Sequence, residues 1–250
     1  MAEDCKQKEE EKSAFLDWCG QWRLVGDIVR GRYAKCKVRF IERVLMAVFV
    51  ALRSFSLSNF HVCFKGNRAK RIFIDVYVIL KMVVLLALLL SYPAEGYEGR
   101  GLTWLVIVLV WYITVDTFNY VLCIVFVDMH EEKWLPKSYS GSMIMLLINY
   151  LQLIVGFAVL YLCHGCIGYS DCGERITRAG EAFYYSTVTI TTLGYGDMEP
   201  ILPTGRILSS VETLMGIVLL VLVFGLFFVE MGRQQRFLEN KKKENEEEKE

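Results

Sequence analysis

The chain has 250 residues, of which 54% are hydrophobic, and its mean hydropathy of +0.35 is too high for an ordinary soluble domain of this length. The formal net charge is zero, but the charges are concentrated in an N-terminal block, a few short loops and a C-terminal run at residues 241–250. This segregation indicates an integral membrane protein, and nothing in it suggests binding to nucleic acid.

Residues 1–71 are predicted to form a cytoplasmic and interfacial segment. Residues 1–12 are mostly charged and lack the apolar core of a signal peptide, so we expect no cleavage there. Apolar residues at spacings of three and four in residues 14–34 predict an amphipathic helix, either on the membrane surface or packed on the rest of the subunit. The apolar run within residues 40–58 is interrupted at Arg53 and is too short to cross roughly 30 Å of hydrocarbon, which predicts an interfacial or partly buried helix.

Four later segments are long and apolar enough to cross a bilayer. Lys133 and Lys137, with the basic N-terminal block, place the middle loop and both termini in the cytoplasm by the positive-inside rule. The expected location is the cell membrane. The four predicted crossings are residues 72–91, 102–127, 143–163 and 207–231.

Between the last two crossings lies a region that is predicted to be outside, at residues 164–206. It contains an apolar helical piece, 182–190, that is too short to cross and is therefore expected to enter the membrane and return. Irregular backbone at membrane depth is tolerated only where protein or water covers it, so this re-entrant segment implies a lined aqueous path. The expected fold is an all-α membrane protein with four transmembrane helices, a re-entrant pore helix and N-terminal interfacial helices.

The residues directly after this short helix, 191–197, read TTLGYGD. This motif resembles the filter signature of the tetrameric potassium channel pore-loop family. That signature turns consecutive backbone carbonyls toward one axis, where they replace the water shell of a dehydrated cation. Glycines at alternate positions reach the φ > 0 conformations that let neighbouring carbonyls face the same way. The resemblance implies a selectivity filter that binds K⁺ at Thr192, Leu193, Gly194, Tyr195 and Gly196.

The resemblance extends over residues 143–231. Pro200, Gly205 and Arg206 stand where the family has a proline and a Gly-Arg pair before its inner helix. Leu202 is a departure, because threonine is common there. The sensor helix of the voltage-gated branch, with Arg or Lys at every third position, has no recognisable counterpart, so steep voltage gating is not expected.

The resemblance also implies roles for residues around the filter. Tyr184, Tyr185 and Thr187, on the short helix, are expected to support it from behind. Asp197 and Glu199 follow it and are expected to form the outer mouth, where rings of carboxylates would concentrate cations.

Several residues within the predicted crossings are candidates for further roles. Gly216 and Gly225 lie in the last crossing and are read either as a hinge of the gate or as small residues for close helix packing. Lys81 and Asp116 lie at similar depth in the first two crossings, and an ion pair between them is expected because either charge alone costs roughly 2.5–3.5 kcal/mol. Glu212 lies one or two turns inside the last crossing and is expected to have an interfacial hydrogen-bonding role.

Three cysteines are close together in the predicted outer loop. Cys166 and Cys172 are read either as a disulfide or as free thiols. Cys163, His164 and Cys166 match no common metal-binding spacing, and a metal site is not predicted from them.

One filter strand cannot surround an ion, so several chains must meet around an axis, and four is the family's number. We therefore expect a homotetramer in membrane lipid that conducts K⁺ passively, with no cofactor beyond the permeant ion and no enzymatic activity. Two alternatives remain: a non-conducting regulatory subunit that assembles with other channel chains, and a component of a potassium uptake transporter. The expected division is a cytoplasmic or interfacial segment, a peripheral helix pair, a pore domain and a charged cytoplasmic tail, at 1–71, 72–142, 143–231 and 232–250.

Overall fold

A computed structural model describes residue 25 and residues 40–54, 56, 67–92, 100–126 and 139–247. Within these ranges lie six α-helices and one two-stranded sheet. The helix predicted at 14–34 falls outside the described residues apart from Val25. In chain order the elements are α1 Phe40–Ser54, α2 Asn67–Leu90, α3 Arg100–Phe126, α4 Tyr139–His164, β1 Ile167–Tyr169, α5 Ala179–Ile190, β2 Met198–Pro200 and α6 Pro203–Glu247.

Four of the helices, α2, α3, α4 and α6, are long and apolar enough to cross a membrane, which confirms the predicted mostly helical membrane protein. The short antiparallel sheet of β1 and β2 was not predicted. The last helix is longer than its predicted crossing, because the backbone continues as helix through the charged tail to Glu247. The apolar stretches are Ile72–Leu90, Gly101–Cys123, Met143–His164 and Pro203–Gly225.

Helix α4 lies at the centre of the subunit and contacts α2, α3, α5 and α6. It is apolar on all sides because neighbours cover most of its circumference. At Gly156 an added Cβ would lie 2.8 Å from Thr114 Oγ1, so the glycine allows α3 to approach α4 closely. Its fully buried side chains include Leu153, Phe157, Ala158, Leu160 and Tyr161.

The first crossing, α2, has one apolar face without protein cover in the subunit and one face directed inward. The exposed face is formed by Ile72, Val76, Ile79 and Val83, at spacings of three and four, as expected for a helix that faces lipid. Lys81 lies on the inward face and is buried.

A buried polar network joins α2, α3 and α4. Lys81 Nζ lies 3.0 Å from Asp116 Oδ2, which is the predicted ion pair, and also donates to Thr117 Oγ1 at 3.0 Å. The Tyr77 hydroxyl donates to the same carboxylate at 3.0 Å. Thr117 donates to Gln152 Oε1 at 3.3 Å, and the amide of Gln152 donates to an α2 backbone carbonyl at 2.6 Å. The pair therefore has hydrogen bonds from α2 and α3, and Gln152 of α4 joins the network through Thr117.

Helix α1 packs on the C-terminal part of α3. Its Met46, Ala47 and Val50 are buried, and its Phe49 carbonyl oxygen lies 3.4 Å from polar atoms of Asn119 and of a neighbouring cysteine. This packing agrees with the expectation of a partly buried helix.

Removing one charge of the Lys81–Asp116 pair is expected to destabilise the protein strongly. Lys81→Met leaves the buried carboxylate without a cation, and we expect the free energy of unfolding to fall by about 3–5 kcal/mol. The double variant Lys81→Met/Asp116→Leu removes both charges and should lose less. Thermal unfolding in detergent, followed by tryptophan fluorescence, compares the three proteins, and equal losses in the single and double variants would contradict the coupling.

Candidate functional site

Helix α5 has 12 residues and is about 18 Å long, too short to cross the bilayer. The prediction started it at residue 182, whereas the helix begins at Ala179. The Glu181 carboxylate explains the earlier start, because it accepts hydrogen bonds from the backbone N–H groups of Arg178 at 3.3 Å and Thr177 at 3.4 Å. A carboxylate in the first turn also favours the positive end of the helix dipole.

The two faces of α5 have different surroundings. One face is buried within the subunit, where α4 and α6 are its main partners. The other face carries Phe183 and Tyr184, which are exposed in the single subunit. The buried residues are Ala182, Tyr185, Ser186, Val188 and Ile190.

The backbone after α5 alternates between two conformations. Thr192, Gly194 and Gly196 have φ angles of 59°, 56° and 78°, and Thr192 is the one non-glycine with positive φ among the described residues. Hydrogen bonds from the N–H groups of Thr192 and Leu193 to carbonyls in the last turn of α5, both at 3.0 Å, fix the start of the strand. A left-handed residue at every second position is the geometry that lets consecutive carbonyls face one side.

Tyr184 joins the short helix to the end of this strand. Its ring stacks on Tyr195 with centroids 6.5 Å apart and an interplanar angle of 7°. Its hydroxyl donates to Asp197 Oδ2 at 2.9 Å, and this hydrogen bond raises the pKa of Tyr184. Three of the predicted site residues are thus brought together.

Tyr185 and Thr187, the other two predicted supports, make different contacts. The Tyr185 ring meets Tyr161 of α4 edge-on at 5.0 Å, and its hydroxyl lies 2.9 Å from Ser209 Oγ of α6. Tyr185 therefore packs against the crossing helices, while Thr187 Oγ1 donates at 2.8 Å to the Phe183 carbonyl of its own helix. Neither contact is with the 192–196 strand.

The chain that leaves the strand is bonded to the segment that follows α4. Strand β2 pairs with β1, the Ser170 N–H donates to the Asp197 carbonyl at 3.0 Å, and the Ile201 N–H donates to the Cys166 carbonyl at 3.0 Å. A Cβ added at Gly205 would lie 2.7 Å from that same Cys166 oxygen, so glycine is required where α6 begins. These contacts fix the position of the strand's outer end.

The predicted mouth residues lie at this end and are exposed. Glu199 pairs with Gly168 in the sheet, and both its side chain and that of Asp197 are open to solvent. Leu193 and Tyr195 are 58% and 66% exposed in the single subunit, so neither side chain is covered by its own chain.

The outer-loop cysteines are free thiols in the structure. Cys166 is fully buried behind β1, whereas Cys172 is exposed, and no disulfide joins them. Burial raises the pKa of Cys166 to about 11. The sequence left open whether Cys166 and Cys172 form a disulfide or are free thiols, and in the structure they are free thiols.

The two glycines of α6 have different surroundings. A Cβ at Gly216 would lie 2.9 Å from the backbone oxygen of Ile190, the last residue of α5, whereas a Cβ at Gly225 would meet nothing within 4 Å. Gly216 is therefore a packing residue between α5 and α6, which is the second of its two interpretations.

Glu212 is fully buried and forms hydrogen bonds, as expected, within the subunit between helices. The Tyr161 hydroxyl donates to its Oε2 at 2.5 Å, and Ser186 Oγ contacts its Oε1. Sequence reasoning did not select Tyr161 or Ser186. The one signal was an acidic residue in an apolar crossing, which implies polar partners without identifying them.

Comparison with known proteins gives matches for most of the chain. The ion channel family matches residues 156–232, which include α5, the strand and the start of α6. The inward rectifier potassium channel Kirbac3.1 of Paramagnetospirillum magnetotacticum is 26% identical over 110 residues, which cover 42% of this chain and 37% of the relative. The voltage-gated potassium channel regulatory subunit KCNG3 of Homo sapiens is 26% identical over 207 residues, which cover 82% of this chain and 40% of the relative. The matches thus span about two fifths of each relative. No solved structure matches.

Alanine substitutions at Gly216 and Gly225 compare the stability effect of a closely packed glycine with that of a glycine that has free space around it. Gly216→Ala forces its new methyl group against the Ile190 backbone, and we expect a loss of about 1–3 kcal/mol in the free energy of unfolding. Gly225→Ala meets open space within the subunit and should be neutral or slightly stabilising, because alanine favours helix by roughly 0.5–1 kcal/mol. Melting temperatures in detergent compare the variants, and equal shifts would argue against the packing role of Gly216.

Proposed function

We propose that the chain is a conducting subunit of a potassium-selective channel, because residues 156–232 match the ion channel family and the chain is similar to two potassium channel proteins. K⁺ passes down its gradient through a filter formed by the backbone of residues 192–196 from several subunits. Residues 143–231 are the pore domain and residues 72–142 a peripheral helix pair. The protein acts in the cell membrane with both termini in the cytoplasm.

The observation that carries this proposal is the alternating backbone of the filter strand. Thr192, Gly194 and Gly196 are left-handed, directly after a 12-residue helix that is too short to cross a bilayer. Carbonyls arranged in this way replace the hydration shell of a dehydrated cation, and K⁺ is the ion that the TTLGYGD motif indicates.

Electrostatics on both sides of the strand favour a cation. The negative end of the α5 dipole lies where the strand begins, at Thr191. Asp197 and Glu199 are exposed at its other end, and symmetry repeats them as rings of carboxylates. Both features raise the local concentration of cations relative to anions.

Four copies are the assembly that this geometry favours. The subunit has one filter strand, and one strand cannot enclose an ion, so further copies must supply the remaining ligands. They would also cover the exposed Leu193 and Tyr195 side chains. The exposed apolar side chains of α6 then face the pore axis, neighbouring subunits or lipid, and include Leu214, Ile217, Val221, Phe224 and Phe228.

The inner part of α6 is proposed to contain the gate. Apolar side chains at residues 217–228 line the inner part of the pore. The pore closes there when water leaves this apolar constriction. Gly225 has free space around it and is the candidate hinge, while Gly216 contacts α5 and is less suited to bending.

A regulatory subunit is the second candidate, because 82% of the chain is similar to a relative whose name describes that role. Such a subunit would assemble with other channel chains and would carry no current alone. The two candidates differ in one measurable property, which is conduction by the purified chain.

Flux through liposomes that contain only this chain tests the proposal. Liposomes loaded with K⁺ are exposed to external K⁺, Rb⁺ or Na⁺, and we expect exchange with K⁺ and Rb⁺ far above that with Na⁺. In Gly194→Ala the flux should be lost, because alanine at φ +56° costs roughly 1–2 kcal/mol in each subunit although its Cβ has free space.

Gly101→Ala is the matched control, because Gly101 lies in α3, also has free space around its Cα and needs no left-handed backbone. It should conduct like the unmodified chain. Equal K⁺ and Na⁺ flux would contradict selectivity. Absence of flux from verified tetramers would favour the regulatory subunit instead.

Tyr184→Phe tests the support of the filter's outer end. The substitution keeps the ring that stacks on Tyr195 but removes the hydrogen bond to Asp197, so we expect the ratio of K⁺ to Na⁺ flux to fall several-fold. Tyr92→Phe removes a comparable hydrogen bond, from the Tyr92 hydroxyl to the Leu162 carbonyl at 2.9 Å, while leaving the bond to Asp197 in place, and serves as the control. An unchanged ratio in Tyr184→Phe would show that the hydrogen bond does not hold the filter.

A further inference from the structure

The carboxyl group of Glu212 connects three helices through oxygen contacts. Its Oε2 lies 2.5 Å from the Tyr161 hydroxyl of α4, and its Oε1 contacts Ser186 Oγ of α5. Ser186 Oγ also lies 2.8 Å from the backbone oxygen of Ile154 in α4. Glu212, Tyr161 and Ser186 are all fully buried, so these bonds lie away from the protein surface.

The contacts continue beyond Tyr161. Its hydroxyl lies 3.3 Å from Ser209 Oγ, one turn before Glu212 on α6. Ser209 Oγ in turn lies 2.9 Å from the Tyr185 hydroxyl of α5, in a contact where either oxygen can donate. A single line of oxygen atoms therefore runs from Tyr185 to Ile154.

The protons available for this line can be counted. It has five oxygen–oxygen contacts, but its four hydroxyl groups supply one proton each and a backbone carbonyl supplies none. If Glu212 were an ionised carboxylate, one contact would bring two oxygens together without a hydrogen. A proton on Oε1 completes the set with each group donating once: Tyr185 to Ser209, Ser209 to Tyr161, Tyr161 to Glu212, Glu212 to Ser186, and Ser186 to the Ile154 carbonyl.

The surroundings of Glu212 also favour the neutral form. It lies within the apolar crossing stretch Pro203–Gly225 and is fully buried. Among the described residues, the two ion pairs are Lys81–Asp116 and Arg178–Glu181, and neither includes Glu212. A buried charge without a partner is strongly unfavourable, whereas a carboxylic acid that donates one hydrogen bond and accepts another is satisfied.

The position of this group relates it to the filter. Ser186 is in the last two turns of α5, and Gly216, one turn beyond Glu212, packs on Ile190 at the end of the same helix. Helix α6 therefore holds α5 at two successive points just before the strand at 192–196 begins. Any displacement of α5 at these points moves the start of the filter.

We propose that Glu212 is a neutral carboxylic acid that donates a hydrogen bond to Ser186 Oγ, and that it is a positioning residue which holds α5 and the filter strand in place. The first part stands independently of conduction. The second rests on the proposed function, because it assigns the contact a role in ion selectivity.

Infrared spectroscopy of the full chain in detergent at neutral pH tests the protonation state. The unmodified protein should have the carbonyl stretch of a protonated carboxylic acid, and Glu212→Gln should lose it. Glu174→Gln, which replaces an exposed carboxylate on the outer loop, should keep the band. A spectrum in which Glu212→Gln removes no such band would overturn the neutral form.

Two substitutions test the positioning role. The amide of Glu212→Gln reproduces the pattern of the acid, since its NH₂ donates to Ser186 and its carbonyl accepts from Tyr161. We expect it to keep the melting temperature and the K⁺ selectivity of the unmodified protein. Glu212→Leu has similar bulk but loses both hydrogen bonds, and its K⁺ flux should fall by roughly tenfold or more, together with its melting temperature.

The outcomes separate this proposal from the proposed function. If Glu212→Gln is as damaging as Glu212→Leu, the site needs a charged acceptor and the neutral acid is wrong. If Glu212→Leu conducts and melts like the unmodified protein, the positioning role is wrong. If the unmodified protein carries no flux, the conducting function fails, while the infrared band and the melting temperatures still decide the protonation and the packing.

Discussion

The structure depends on one constraint: a backbone segment that is neither a complete helix nor a sheet must be held between two helices that are long and apolar enough to cross a membrane. Helix α5 ends after 12 residues, and the strand that follows makes no regular hydrogen-bond ladder of its own. Such backbone is stable there only if protein or an aqueous path covers it. The central position of α4, which packs on α5 and α6 and also on the peripheral pair α2 and α3, supplies the protein cover on one side.

The strand at 192–196, which we propose to be the filter, is held at both ends by different kinds of contact. At its beginning, backbone hydrogen bonds return to α5, and α5 itself is bonded to α4 and α6 through buried hydroxyl and carboxyl groups. At its end, the β1–β2 sheet and the Tyr184–Asp197 hydrogen bond fix the chain from outside. A threonine at φ 59° is an unfavourable conformation that persists because the surrounding contacts determine it.

Much of this arrangement was predictable from the sequence. Some features follow from local sequence patterns, and others follow because an unpaired charge in a membrane is strongly unfavourable. Segment length and hydropathy gave the four crossings, and the high cost of a lone intramembrane charge gave the Lys81–Asp116 pair. The partners of Glu212 were not predictable, since Tyr161 is 51 positions away and Ser186 is 26 positions away. The rotation of α5 about its axis, which turns Tyr184 to the filter and Tyr185 to the crossing helices, depends on neighbours and not on local sequence. Strands of three residues are too short to give a periodic signal.

Helix α6 continues without interruption from Pro203, beside the outer sheet, to Glu247, a length of about 67 Å over its 45 residues. The stretch that is long and apolar enough to cross a membrane ends at Gly225, and the helix continues for 22 residues beyond it to Glu247. A bend of about 5° at Gly225 would displace Glu247, about 33 Å further along the helix, sideways by roughly 3 Å. A force applied at the far end of the helix therefore acts on the region of Gly225 through a long lever arm.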